Sequence, residues 1–383
     1  MAVFDALRGQ KPAELFSSLP SPCYIIDEAQ LRRNAEILKK AADHTGCKIL
    51  LAQKAFSNYD FYPMLSRYLA GTEASGLYEA RLGREEMGDK EVHVFAAAYR
   101  DDEFSDIVKY ADHIVFNSIA QFEKFAPKAK GRSLGIRINP ECSTQEGHAI
   151  YDPCAPGSRL GVTRDNWKDI PVDGLHFHTL CEQNADALET TLNAVEEKFP
   201  DLLEKVSWVN MGGGHHITRD DYDIALLEKL IIRTKERWHV DVYLEPGEAV
   251  ALNAGFLLTR VLDIVHNGTD IAIVDASAAC HMPDVIEMPY TPPLYGTSEN
   301  GHTYTLAGPT CLAGDVIGTY TFPEKLKAGD LLLFGDMAIY TTCKNNTFNG
   351  MALPDIYRRK ENGSLEKLTS FGYDDFKTRL GSK

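Results

Sequence analysis

Eight short apolar runs recur between residues 48 and 248, spaced by helical stretches: "KILLAQK", "GTEAS", "HVFAAAY", "HIVFNS", "LGIRINP", "GLHFHTL", "SWVNMGGG" and "VDVYLEPGE". Strands that alternate with amphipathic segments such as "NADALETTLNAVEEKF" and "YDIALLEKLIIRTKERW" must run parallel, because each helix carries the chain back to the same edge of a sheet. Eight such units predict a (β/α)8 barrel, with a doubly wound open sheet as the alternative that periodicity alone does not remove. Beyond about residue 255 the texture changes. "GFLLTRVLDIV", "TDIAIVDAS", "TYTLAGPTC", "DVIGTYTF" and "DLLLFGDMAIY" alternate with turns rather than helices and predict a second, C-terminal all-β domain.

Catalytic groups of a barrel gather at the C-terminal ends of its strands. At those ends stand Lys54, Arg137, His176 and His178, Gly212-Gly213-Gly214, and Glu245 in "EPGE". Each has a plain reading on its own. Lys54 could snorkel to solvent, the glycines could form a turn, and Glu245 could cap a loop. The pair in "HFH" lies on one face of a strand; it fits a metal pair, a ring stacked on an aromatic cofactor, or simple core packing, the last being the expectation for His176. In "GPTC", Cys311 is a buried structural thiol or a proton donor. Tyr340 and Phe348, in "MAIYTTCKNNTFNG", read equally as packing.

The 40 basic and 55 acidic residues leave a net charge of −15, which argues against nucleic acid as a partner. The eight cysteines form no CxxC pair, so neither a disulfide framework nor a cysteine-held metal is expected. No apolar run reaches membrane-span length and no leader is recognisable, so a cytoplasmic protein is expected.

Taken in order, "SPCYIIDEAQLRRN", "QKAFS", "RINP", "HFHTL", "GGG", "EPG", "GPTC" and "YTTCKNNTFNG" resemble the alanine-racemase-like, fold type III family of pyridoxal-phosphate decarboxylases, which includes ornithine and diaminopimelate decarboxylases. The resemblance spans nearly the whole chain. It implies a pyridoxal 5'-phosphate barrel over residues 28–255 and a β-sandwich or β-barrel domain built from residues 1–27 and 256–383. It also implies a head-to-tail homodimer with shared active sites. By the same resemblance Lys54 holds the cofactor covalently, His178 stacks on its ring, and Gly212, Gly213, Gly214 and Tyr340 bind its phosphate. Arg137 lies near the ring oxygen, Glu245 faces the ring nitrogen, and Cys311 returns a proton to Cα. A glutamate at that nitrogen, rather than the arginine of the racemases, implies decarboxylation.

Departures from the better-known members narrow the substrate. Cys181 stands where the family has serine, Glu248 follows "EPG" in place of arginine, and "DASAACHMPDVIEMP" carries Asp284 and Glu287 where diaminopimelate decarboxylases carry a carboxylate-binding arginine. Leu312 replaces an acid after Cys311. Acids in place of arginines favour a small cationic amino-acid substrate with a long amine tail, met by Glu248, Asp284, Glu287 and Phe348. The pattern looks most like a polyamine-synthesis member; a diaminopimelate, ornithine, arginine or lysine decarboxylase of the same fold is the alternative.

Overall fold

The computed structural model describes residues 3–145 and 151–382. They form two compact units, one of Arg32–Val250 and one of Met1–Leu31 with Ala251–Lys383. The first is a closed barrel of eight parallel strands in sequence order, from Lys48–Ala52 to Asp241–Leu244. Closure rests on Lys48 and Ile49 pairing with Tyr243 and Leu244, which rules out the open sheet. Helices between the strands bury one stripe each. In Ile224–Trp238 that stripe is Leu227, Leu230, Ile231, Thr234 and Trp238, positions that share a face at 3.6 residues per turn. Asp223 starts the helix by accepting from the Leu226 N–H, and His239 ends it in the left-handed region.

Leu50, Val115, Trp208 and Tyr243 pack together inside the barrel. Trp208 fits because Gly174 on the adjacent strand and Gly135 on the strand beyond it leave no Cβ where its indole lies, and its Nε1 donates to Ser133 Oγ at 2.8 Å. Gly174→Ala would drive a methyl into that ring. We expect a loss of about 1–3 kcal/mol, read as a lower urea midpoint at unchanged m-value; an unchanged midpoint would show that Trp208 can swing aside.

Below the indole layer, Lys48, Glu91, His93 and His113 close the N-terminal mouth. Glu91 Oε1 takes the Lys48 ammonium at 2.6 Å, and its Oε2 lies 3.1 Å from His93 Nε2. Burial works against the carboxylate, yet His93 and Lys48 hold it down at about 2. Burial, then the charge of His93, pulls His113 to about 3. These three are spaced like metal ligands, but the lysine already supplies the cation that the carboxylate needs.

The second unit is a mixed sheet in the order 316–322, 302–307, 270–274, 255–266, 23–27, 355–359 and 365–369, with 331–335 also paired to 255–266. The N-terminal strand Cys23–Asp27 lies between Gly255–His266 and Asp355–Arg359. Leu7, Phe16, Ile25, Phe256, Leu258 and Leu333 make its core, and the buried Asp27 is neutralised by Arg359 at 2.6 Å. The barrel and the β-rich C-terminal unit expected from the sequence are both present.

Candidate active site

In the barrel unit the side chains singled out at the strand ends come to one mouth. Lys54 follows the first strand, Arg137 and His176 end the fifth and sixth, and Glu245 follows the eighth. Lys54 is half-buried, and Glu73, His176, His178 and Cys181 lie within reach of its charge. A lysine in that setting is no solvent-bound strand end.

Glu245 is 5% exposed and held by two neighbours. Asn210 Nδ2 donates to its Oε1 at 2.6 Å, and His176 Nε2 lies 3.3 Å from its Oε2. Burial disfavours its charge, but His176 and then Asn210 keep it below the ordinary carboxylate range. Burial also lowers His176, so near neutral pH the pair carries one negative charge, on the glutamate. His176 thus belongs to this site; the expectation of plain core packing is corrected, because its ring lies against the acid rather than among aliphatic neighbours alone.

His178 Nδ1 accepts the Gly213 N–H at 3.1 Å, which leaves its proton on Nε2. Its surroundings, followed by the charges of Lys54 and Arg137, lower it well below its usual value, so the ring is neutral and flat-faced. Arg137 donates to the His178 carbonyl at 2.9 Å and lies over the Phe95 ring at 4.8 Å. Burial brings it to about 10, which leaves it charged at neutral pH.

The glycine triplet is required by its neighbours. A Cβ at Gly212 would meet the Phe177 carbonyl at 2.5 Å, and one at Gly213 the Glu245 carbonyl at 2.5 Å. Gly212 and Gly214 take φ of +69° and +81°, a region glycine enters without steric cost, while the Gly212 and Gly213 N–H groups donate to Asn210 Oδ1 and His178 Nδ1. The next long helix begins only at Ile224, so an anion here would meet the loop's remaining backbone N–H groups rather than a helix terminus. A neutral flat ring, a buried carboxylate, an arginine, an amine and a close-packed glycine loop at one mouth fit pyridoxal phosphate in chemistry. His176, His178 and Glu245 are also spaced like metal ligands.

Three residues that sequence reasoning passed over belong here. Asn210 was hidden inside a strand run. His216 Nε2 lies 2.9 Å from one carboxylate oxygen of Glu248, a partner that the sequence did not show. Glu73 is 3% exposed with Oε2 unpartnered. Burial, then the charge of Glu245, raises Glu73 to about 8. An unfolded glutamate ionises at about 4.3, so Glu73 contributes stability that is full below that value and lost as pH rises towards 8. Glu73→Gln should flatten the melting-temperature profile between pH 5 and 8; a slope identical to wild type would show that Glu73 ionises freely. Cys181, at the family's serine position, is pushed up to about 12 by burial and then Glu248, and remains a thiol.

In the sheet unit, Cys311 is exposed and its N–H donates to Asn349 Oδ1 at 2.7 Å. Asp315, 2% exposed, fixes that loop by accepting from Thr310 and Ser277 hydroxyls at 2.6 and 2.9 Å. Tyr340 sits at φ +55° before Thr341–Lys344, and Phe348 is 46% exposed. Asp284 and Glu287 project together from one short helix, and both accept from Lys344. The pair is therefore less acidic than the sequence suggested: two carboxylates face one internal ammonium.

Residues 23–338 match the family model "Pyridoxal-dependent decarboxylase, C-terminal sheet domain". The chain is 42% identical to the carboxynorspermidine/carboxyspermidine decarboxylase of Campylobacter jejuni, over 95% of this chain and 99% of that one. It is 40% identical to the carboxyaminopropylagmatine decarboxylase of a Synechocystis species, over 95% and 96%. The crystal structure of Campylobacter jejuni carboxynorspermidine decarboxylase complexed with norspermidine superposes with a TM-score of 0.87 at 41% identity, covering 94% of this chain and all of that one. A diaminopimelate decarboxylase from M. jannaschii shares the fold at TM-score 0.81 and 20% identity.

Proposed function

The chain belongs to the pyridoxal-dependent decarboxylase family, and we propose that it releases CO2 from carboxynorspermidine or carboxyspermidine to give norspermidine or spermidine. Similarity over nearly the full length to a relative of that name supports the reading. Within the molecule it rests on one observation: Asp284 and Glu287 share a single lysine. That cluster keeps one net negative charge for an incoming ammonium, and the side chain of Glu287 is 57% exposed to receive it. A carboxylate tail would be repelled.

Pyridoxal phosphate, when bound, supplies an electron sink for the pair left behind as CO2 departs. The chain's residues do the rest. Lys54 is the residue that would hold the cofactor, through its amine. Glu245 keeps a proton on the ring nitrogen, since an adjacent negative charge raises the affinity of that base for protons. Neutral His178 offers an aromatic face, Arg137 a charge for the ring oxygen, and the glycine loop with Tyr340 the phosphate contacts. Cys311 holds the proton to be returned to Cα, with two chains paired head to tail so that each serves the other's site. Asp284 and Glu287 take the substrate's terminal amine; Phe348 covers its methylenes, and Glu248, tied to His216, sets charge at the rim.

The test is CO2 release by the cofactor-loaded protein from carboxynorspermidine, carboxyspermidine, carboxyaminopropylagmatine and meso-diaminopimelate. The first two should dominate, and Asp284→Asn with Glu287→Gln should raise KM by about tenfold at little changed kcat, as for a contact equal in ground and transition states. Preference for the agmatine derivative would move the tail from amine to guanidine, the reading favoured by the Synechocystis relative. Efficient turnover of diaminopimelate would overturn the acid-lined reading.

A further inference from the structure

We infer that Asn210 is a positioning residue which locks the ring-nitrogen acid and the phosphate loop into one unit. This rests on the placement of Glu245 and the glycine loop at the two ends of the cofactor. Asn210 ends the seventh barrel strand, is wholly buried, and uses both halves of its amide. Its Nδ2 donates to Glu245 Oε1 at 2.6 Å, and its Oδ1 accepts the Gly212 N–H at 2.9 Å. The orientation is therefore unique, because a flipped amide would set oxygen against carboxylate and N–H against N–H. Strand spacing makes the bridge possible: Asn210 and Tyr243 are paired in register, two residues ahead of Gly212 and Glu245 respectively.

The loop has little other freedom. Gly213 is committed to His178 Nδ1, and the Glu245 N–H donates to the Gly212 carbonyl at 2.7 Å. A shift of the glutamate would therefore carry the loop with it, and the side-chain amide closes that circuit from the other side. Only a residue with one donor and one acceptor on a short stem can do so. Aspartate keeps the acceptor for Gly212 but puts a second carboxylate against Glu245, and one of the two must then hold a proton.

Asn210→Asp tests this by pyridoxal-phosphate affinity of the cofactor-stripped protein, measured from pH 6 to 9. Affinity should fall about tenfold or more, increasingly as pH rises and the shared proton is lost, whereas the wild-type profile stays comparatively level. The exchange Asn210→Asp with Glu245→Gln returns a donor facing an acceptor in the reverse sense. It should restore affinity to that of Glu245→Gln alone and remove the added pH slope, a rescue that a merely structural asparagine would not show. Wild-type affinity in Asn210→Asp at every pH, or a double variant no better than Asn210→Asp, would overturn the inference. If instead Glu245→Gln leaves the pH titration of the bound cofactor's absorbance unchanged, the placement of Glu245 is what fails.

Discussion

Lys54→Ala should reduce turnover by at least about 10³-fold, since covalent capture and the orientation that comes with it are both lost. The same variant should lose the yellow colour of a lysine-bound cofactor while its unfolding temperature, measured without cofactor, stays near wild type, because the amine is half-buried and outside the strand ladder. Cys311→Ala should also be strongly impaired. It lies on an exposed loop held by Asp315, so its loss should leave the fold intact. Mixing the two inactive variants then separates two architectures. If each site draws Lys54 from one chain and Cys311 from another, unfolding and refolding a mixture returns roughly a quarter of wild-type activity, as half the pairs are mixed and half their sites complete. If each chain is self-sufficient, the mixture stays inactive. Near-normal turnover by Lys54→Ala alone would remove the lysine from its role altogether.

The barrel was legible because its signal is local: apolar runs at regular spacing, each ending in a polar or glycine residue. Closure was not, as it depends on Ile49 meeting Leu244 across the whole domain. The same distinction runs through the site. Lys54, Arg137, His178 and Glu245 each announce themselves at a strand end. Their partners do not, for a partner is defined by contact across the sequence. Asn210 reaches Glu245 over 35 positions, His216 reaches Glu248 over 32, and Lys344 reaches Asp284 over 60. Acids counted as open charges from the sequence therefore proved to have partners, one oxygen of Glu248 on His216 and the Asp284–Glu287 cluster on Lys344. The strands Asp355–Arg359 and Leu365–Thr369 escaped for a different reason: "DIYRR" and "LEKLT" carry charges at positions that a strand alternation would make apolar.

Glu245→Gln should lower kcat by about 10²–10³-fold with KM changed far less, the pattern of a charge that matters chiefly as the transition state develops. Glutamine keeps the volume of the side chain, and its oxygen can still accept from Asn210 Nδ2, now at 2.6 Å from Glu245 Oε1. The loss should therefore be one of charge, not of folding or of cofactor retention. The pH dependence gives the sign. His176 and Asn210 hold the carboxyl below its ordinary range, so in the wild type the negative charge is present throughout pH 5–9 and would fade only as pH fell through that lowered value. The ratio of wild-type to variant kcat should accordingly be constant across pH 6–9. A ratio that collapses below pH 6 would mean that Glu245 takes up a proton there, and that His176 and Asn210 do not stabilise its charge. A ratio near one at every pH would take the acid away from the ring nitrogen, and leave the electron demand of CO2 loss to be met without it.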